Sequence, residues 1–177
     1  TPTGKSAIAT IRTSEKDSLK ILKKISSIKK ATPNKTRLTL LKYKKRLIDQ
    51  VLITYFKSPK SFTGEEMIEI SCHGSPMTVK KISEILMFFG ARVAEPGEFT
   101  KRALFNNKLD IVQVESLSDL INAETEKQRS MAISNLSGGL SLFTEKINKE
   151  ITLMLANTEA IIDFSDEDLP KNILYMP

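Results

Sequence analysis

The spacing of apolar and polar positions changes character along the chain, and the changes mark its elements. Residues 7–12 (AIATIR) alternate weakly and predict a strand. Ser14 follows as the expected N-cap of a helix, with Leu19, Leu22, Ile25 and Ile28 on one face at spacings of three. Thr32-Pro33-Asn34 is a loop signal. Residues 37–42 (RLTLLK) and 48–56 (IDQVLITYF) predict two strands, with Lys44-Lys45-Arg46 as a hairpin turn or exposed edge between them. Ser58-Pro59-Lys60-Ser61 closes the second strand, and residues 67–72 (MIEISC) alternate as a further one. Pro76 opens a helix running through Phe89, with Val79, Ile82, Ile85, Leu86 and Phe89 on one side. Gly90 stops it as a C′ glycine. Arg92-Val93-Ala94 reads as a short last strand, and Pro96-Gly97 breaks the chain. The order βαβββαβ predicts an α+β domain with a small mixed sheet over residues 1–98.

Beyond Gly97 the period-two signal stops, and residues 99–177 read as an all-α segment. Residues 99–105 predict a short helix and 109–121 a second, with Val114, Leu117 and Ile121 on one face. From Ile133 to Ile161 apolar residues then recur at spacings of three and four, a stripe of about 42 Å if helical. Gly138-Gly139 interrupts the stripe without changing its register, which predicts a kinked helix rather than two. Such a helix buries its stripe only against partners, so the chain is expected to belong to a longer helical domain.

Composition narrows the class. Hydrophobic residues make up 40% and charged residues 27% of 177 positions, an ordinary globular balance that excludes collagen-like and wholly disordered chains. The single cysteine excludes an internal disulfide. Apolar runs such as Ile85-Leu86-Met87-Phe88-Phe89 fall far short of a membrane span, and the first residues do not read as a signal peptide. The net charge of +6 is uneven: +10 over residues 1–100 and −4 over 101–177. Between Lys16 and Arg46 stand 12 basic residues and one acid, Asp17. That stretch suits RNA phosphates. With only Tyr43 interleaved for base stacking, a solvated lysine-rich face is the favoured reading.

Local motifs divide similarly. Thr3-Gly4-Lys5-Ser6 has the ending of a phosphate loop, but it lacks the upstream glycine and precedes a strand rather than a helix. Cys72 and His73 are the sole residues of their kinds and invite a nucleophile–base or metal reading. Neighbours in an extended segment point to opposite faces, so a structural role is expected instead. Phe62-Thr63-Gly64-Glu65-Glu66 reads as a turn whose glycine permits close backbone approach. Glu95-Pro96-Gly97-Glu98-Phe99-Thr100-Lys101-Arg102 and Asn106-Asn107-Lys108-Leu109-Asp110 read as turns and caps around a helix, the second able to aim a lysine at a carboxylate.

Taken in order, these blocks resemble the tRNA modification GTPase family (MnmE, also called TrmE). The resemblance rests on residues 61–69 (SFTGEEMIE), Cys72-His73-Gly74, residues 95–103 (EPGEFTKRA) and Asn107-Lys108-Leu109-Asp110. The opening Thr1-Pro2-Thr3-Gly4 with residues 7–12, and the acidic run at 160–168 (AIIDFSDED), extend it over nearly the whole chain. Where the family has a second glycine after His-Gly, this chain has Ser75. Where the family reads Asn-Gly-Lys, it has Asn106-Asn107-Lys108.

The resemblance implies an N-terminal domain, 1–98, that binds a tetrahydrofolate, 5-formyl or 5,10-methylene, and forms a homodimer. The first part of a helical domain, 99–177, would follow. By match to the family pattern Glu69 takes the pterin edge, Arg12 anchors an oxygen, Lys108 meets the carbonyl or carboxylate end, and Phe62, Thr63 and Gly64 shape the pocket. GTP, Mg and K belong to a GTPase domain further along than this chain reaches, so the chain itself is expected not to hydrolyse GTP. The intact protein would be cytoplasmic, with no membrane partner. With a flavin- and NADH-dependent partner it would modify carbon 5 of the wobble uridine, position 34, of tRNA. A basic RNA-binding module without folate is the alternative, and a hydrolase built on Cys72 or His73 a weaker third.

Overall fold

The computed structural model describes residues 4–28 and 30–163. It divides into two compact units, Thr1–Leu109 and Asp110–Pro177. In the first, β1 (Ile8–Ser14), α1 (Ser18–Ile25), β2 (Thr36–Tyr43), β3 (Arg46–Phe56) and β4 (Met67–His73) precede α2 (Pro76–Phe88) and α3 (Glu98–Phe105). The four strands form one antiparallel sheet in the order β1-β4-β3-β2.

The period-two pattern decides which face is covered. Val51, Ile53 and Tyr55 on β3 and Ile68, Ile70 and Cys72 on β4 point to one side and are buried with Ala9 and Leu41. Leu22 and Ile25 of α1 and Ile82, Ile85 and Leu86 of α2 complete this core. Each such aliphatic side chain contributes about 1.5–3 kcal/mol on burial, which outweighs weak local preferences. The opposite face carries Arg12, Ser14, Glu69, Ser71, Thr54, Leu52 and Leu38, while α1 and α2 pack on the core side.

The α+β class is the one expected from the pattern, but several details differ. Ser14 does not cap α1. It ends β1 opposite Met67, and Asp17 stands at the N-cap without a side-chain capping bond. Ladder hydrogen bonds and the packing of Ile11 override the local capping signal. Lys44 and Lys45 form the β2–β3 turn with φ of 48° and 63°, the left-handed pair that matches strand twist in a two-residue hairpin. Arg92-Val93-Ala94 is not a strand, so the sheet is purely antiparallel rather than mixed. Gly90 (φ +99°) turns the chain out of α2, Val93 is left exposed, and the Arg92 guanidinium is held by Glu98, with Nη1 2.8 Å from Oε2. Ser75 needs no left-handed backbone: at φ −72°, ψ 129° it is the extended N-cap of α2, with Pro76 in the first turn, where a missing N–H costs nothing.

The first unit runs on through α3. Arg102 bonds Glu65 and Asn106 bonds the Thr63 carbonyl, tying this helix to the sheet's loops. The second unit contains α4 (Ile111–Asn122), α5 (Glu126–Leu136) and α6 (Gly139–Asp163). Reciprocal capping boxes start two of them, Asp110 with Gln113 and Thr125 with Gln128. The expected single kinked helix is instead two. Gly138 adopts φ +90°, and the Ser137 and Gly138 N–H groups bond back to the Ile133 and Asn135 carbonyls. A left-handed residue ends the α-helical ladder even though the apolar spacing continues across it. None of the residues of α6 is buried, and Ile147, Ile151 and Met154 of its stripe stay exposed. Beyond Asp163 the acidic run at 160–168 lies outside the described residues. Among the described residues no helix is long and apolar enough to cross a membrane.

Candidate functional site

The open face of the sheet presents Arg12 and Glu69 as direct cross-strand partners, with Arg12 Nε 2.6 Å from Glu69 Oε1. Both remain accessible, with side chains 57% and 27% exposed. Alternation places Ser14 on the same face, two positions beyond Arg12. Its hydroxyl is 2.6 Å from Thr63 Oγ1 and donates to Glu65 Oε2 at 2.8 Å. Thr63 is fully buried and so anchors the loop that carries Phe62 and Gly64. Phe62 is 41% exposed beside it.

Gly64 sits at φ +78°, and a Cβ there would lie 3.1 Å from Asn106 Cβ and 3.2 Å from Lys108 Cγ. Its missing side chain is what lets the Lys108 stem lie against the loop. The end of α3 aims that lysine. Asn106 Nδ2 donates to the Thr63 carbonyl at 2.6 Å, Lys108 N–H to the Ala103 carbonyl at 2.8 Å, and Asn107 N–H to the Leu104 carbonyl at 3.0 Å. This is a Schellman C-cap with Asn107 at the left-handed position, φ 52°. Asparagine tolerates that backbone better than other side chains, but glycine fits it without penalty. Asn107→Gly is therefore expected to raise stability by about 0.5–1 kcal/mol. Urea unfolding would show it as a higher midpoint at unchanged slope, whereas a lower midpoint would mean that the Asn107 side chain itself is needed.

A second tie comes from Arg102. Its Nη1 meets Glu65 Oε2 at 2.8 Å and the Ser14 carbonyl at 3.3 Å, while Nη2 meets Glu98 Oε1 at 2.7 Å. The guanidinium groups of Arg92 and Arg102 hold the Glu98 carboxyl far below the usual carboxylate range. It stays an anion able to orient Arg102 at any ordinary pH. Glu65, Glu98, Arg102 and Asn106 are the residues that the sequence did not single out one by one, and Ser14 was singled out only as a helix cap. Only the i,i+4 spacing of Glu98 and Arg102 hinted at a pair.

The remaining candidates lie elsewhere. Cys72 is buried, its thiol 3.5 Å from the Ala9 carbonyl, and burial pushes that thiol up, away from the reactive thiolate. His73 points away from Cys72 and places Nδ1 2.7 Å from Asp49 Oδ1. Burial raises the Asp49 carboxyl, but the hydrogen bonds from His73 and Gln50 overcome this and hold it below its ordinary range. No nucleophile joins that pair, and no group of three or more metal-ligating side chains occurs among the described residues. Ser6 pairs with Gly74 and leads into β1, so Gly4-Lys5-Ser6 precedes a strand and not the helix a phosphate loop requires. A cavity of about 540 Å³ is bordered by Arg12, Ser14 and Arg102 as well as Ile11, Leu86 and Phe99, but not by Glu69, Gly64 or Lys108, so it touches only one side of the candidate site.

Residues 1–108 match the family model described as the GTP-binding protein TrmE N-terminus, and residues 111–174 match the MnmE helical domain. The chain belongs to the TrmE/MnmE family. It is 42% identical over 168 residues to the tRNA modification GTPase MnmE of Thermotoga maritima, covering 94% of this chain and 37% of that relative. The proteins of the same name from Aquifex aeolicus and Helicobacter pylori strain HPAG1 are 41% identical over 172 residues and 38% identical over 174. They cover 96% and 98% of this chain, and 38% of each relative. The chain thus spans under two fifths of the length of these TrmE/MnmE relatives. The two matched stretches meet next to the division between the compact units at Leu109 and Asp110.

Proposed function

We propose that this chain is the folate-binding and dimerising part of a cytoplasmic GTPase that modifies the wobble uridine of tRNA together with a flavin- and NADH-dependent partner. The observation that carries the reading is a convergence. Residues from four separate stretches, Arg12, Glu69, 62–64 and Lys108, form one linked surface through the Ser14–Thr63 and Gly64–Lys108 contacts. Their chemistry fits a reduced folate. Glu69 engages one carboxylate oxygen with Arg12, and a carboxylate accepts paired N–H donors of the kind a pterin edge presents. The Arg12 guanidinium suits an oxygen, and the Lys108 ammonium a carbonyl or carboxylate. A bound tetrahydrofolate, 5-formyl or 5,10-methylene, supplies the one-carbon unit. The chain's own residues orient it. GTP with its Mg and K belongs to a domain outside this sequence. Calorimetric titration with 5-formyltetrahydrofolate tests the reading, and absence of saturable binding refutes it.

Dimerisation is supported by apolar side chains on the sheet face opposite α1 and α2. Leu38 and Leu52 are direct cross-strand partners there, 63% and 45% exposed, and Ile8 is 62% exposed. Large apolar side chains left in water on one face favour a self-complementary contact between two copies. Light scattering is expected to give a dimer at tens of micromolar, and Leu38→Glu a monomer with unchanged helix and strand content. A wild-type monomer at that concentration would refute the claim.

A further inference from the structure

Tyr43 meets two consecutive aromatic residues far along the chain, Phe88 and Phe89, at one edge of the first unit. Tyr43 ends β2, Phe88 ends α2, and Phe89 follows it. Their centroids are 5.8, 6.2 and 5.3 Å apart, all edge-to-face, the arrangement that ring quadrupoles favour. Phe89 is tethered to the core, whereas Phe88 is 68% exposed. Cations flank the rings. Lys24 Nζ lies 5.1 Å from the Phe89 centroid and Lys44 Nζ 5.4 Å from the Tyr43 centroid.

The hairpin tip carries a second, independent signal. Both turn residues, Lys44 and Lys45, are left-handed, at φ 48° and 63°. Glycine and asparagine suit such a turn, while a side chain with a full Cβ is disfavoured there. The fold therefore holds two lysines at the hairpin tip, the Lys44 ammonium over Tyr43, at the expense of turn stability, and strain of this kind concentrates at functional sites. An exposed aromatic ring, in a cluster whose other two rings carry lysine ammonium groups, is the chemistry of unpaired nucleic acid. Bases stack on ring faces and phosphates meet the cations, whereas a duplex hides its base faces. An acidic peptide would use the lysines but gain nothing from the exposed Phe88 ring.

We propose that Tyr43, Phe88 and Phe89, with Lys24, Lys44 and Lys45, bind an unpaired stretch of RNA. None of the six belongs to the folate site, so either reading stands without the other. The test is fluorescence anisotropy of the full chain with a labelled oligouridine of a dozen nucleotides and, separately, an RNA duplex of equal length, at low salt. The single strand is expected to bind more tightly than the duplex. Phe88→Ala should weaken single-strand binding at least about fivefold, since loss of one stacked base costs that much or more, and leave the duplex unaffected. The doubly substituted Lys44→Gly, Lys45→Gly protein should bind both RNAs more weakly, with its single-strand salt slope reduced by about 1.4. Its melting temperature should rise, because glycine relieves the turn. Equal single-strand affinity for wild type and Phe88→Ala, a preference for the duplex, or displacement by polyglutamate as effective as by oligouridine would each overturn the proposal. So would no binding at all. Folate affinity is expected to be the same in all three proteins. If folate fails to bind while RNA binding depends on Phe88, the folate reading falls and this one stands.

Discussion

Glu69→Ala is expected to weaken 5-formyltetrahydrofolate binding by more than about tenfold while leaving the fold almost unchanged. The two halves of this expectation come from different environments of one carboxylate. In the folded chain Glu69 pairs with Arg12 across neighbouring strands, with both groups in contact with solvent. Such a pair contributes under about 1 kcal/mol to stability because water screens it and two side chains must be ordered. Against a pterin edge the same carboxylate would accept two donors in a desolvated pocket, and losing a charged hydrogen-bond partner there costs about 1.5–3 kcal/mol. Folding and binding therefore respond to Glu69 on different scales. Glu69→Gln sharpens the comparison: it keeps the volume but replaces one acceptor by a donor, so it should also bind poorly. Calorimetry on the three proteins, with melting curves alongside, decides the matter. Equal affinities would remove Glu69 from the site, and a large loss of stability with intact affinity would make the Arg12 pair structural.

What the sequence showed of this fold was its periodicity, and that periodicity was most reliable where burial enforces it. The alternation of Ile68, Glu69, Ile70, Ser71 and Cys72 assigned β4 and put Glu69 opposite the core, as the burial of its neighbours bears out. The Val79 to Leu86 spacing assigned α2 for the same reason. Failures came where two local rules competed. Ser14 is a good N-cap, but its backbone is worth more in the ladder with Met67. Apolar spacing continues through Gly138, yet one left-handed residue ends a helix whatever the side chains around it prefer. Arg92-Val93-Ala94 had strand-like composition but no strand to pair with, and its arginine found Glu98 first.

The candidate site came from the sequence by another route. Arg12, Glu69, Lys108 and 62–64 emerged from resemblance, because no periodicity singles out a residue that faces solvent. The ties that assemble them were not readable. Asn106 reaches the Thr63 carbonyl across 43 positions, and Arg102 reaches the Ser14 carbonyl across 88. Side-chain contacts to backbone carbonyls leave no spacing pattern at such separations. The aromatic cluster was hidden similarly: Tyr43 looks solitary in the basic stretch until α2 delivers Phe88 and Phe89 beside it.

Gly74→Ala is expected to be the most damaging single-methyl change in the chain, although Gly74 is not at a left-handed position and lies in no pocket. The reason is the approach of another backbone. Gly74 N–H bonds the Ala7 carbonyl at 3.3 Å and its carbonyl accepts from Ser6 N–H at 3.1 Å, a reciprocal pair that extends the β1–β4 pairing past Ile8 and His73. A Cβ on Gly74 would fall 2.1 Å from Ser6 Oγ, 2.3 Å from the Ser6 carbonyl oxygen and 2.7 Å from its carbon. The hydroxyl can rotate away, but the carbonyl cannot without breaking both hydrogen bonds. The expected cost is about 3 kcal/mol, at the upper end for overpacking, since main chain rather than side chain must move. For the first unit that corresponds to a fall in melting temperature of at least about 10 °C. A companion variant separates the two clashes. Ser6→Gly removes the hydroxyl contact and leaves the carbonyl contact, so the Ser6→Gly, Gly74→Ala double variant should recover little of the loss. Calorimetric melting of the four proteins measures this. A Gly74→Ala protein melting within about 2 °C of wild type, or full rescue by Ser6→Gly, would show that the strand pair yields at the side chain and that the glycine is not required by the backbone.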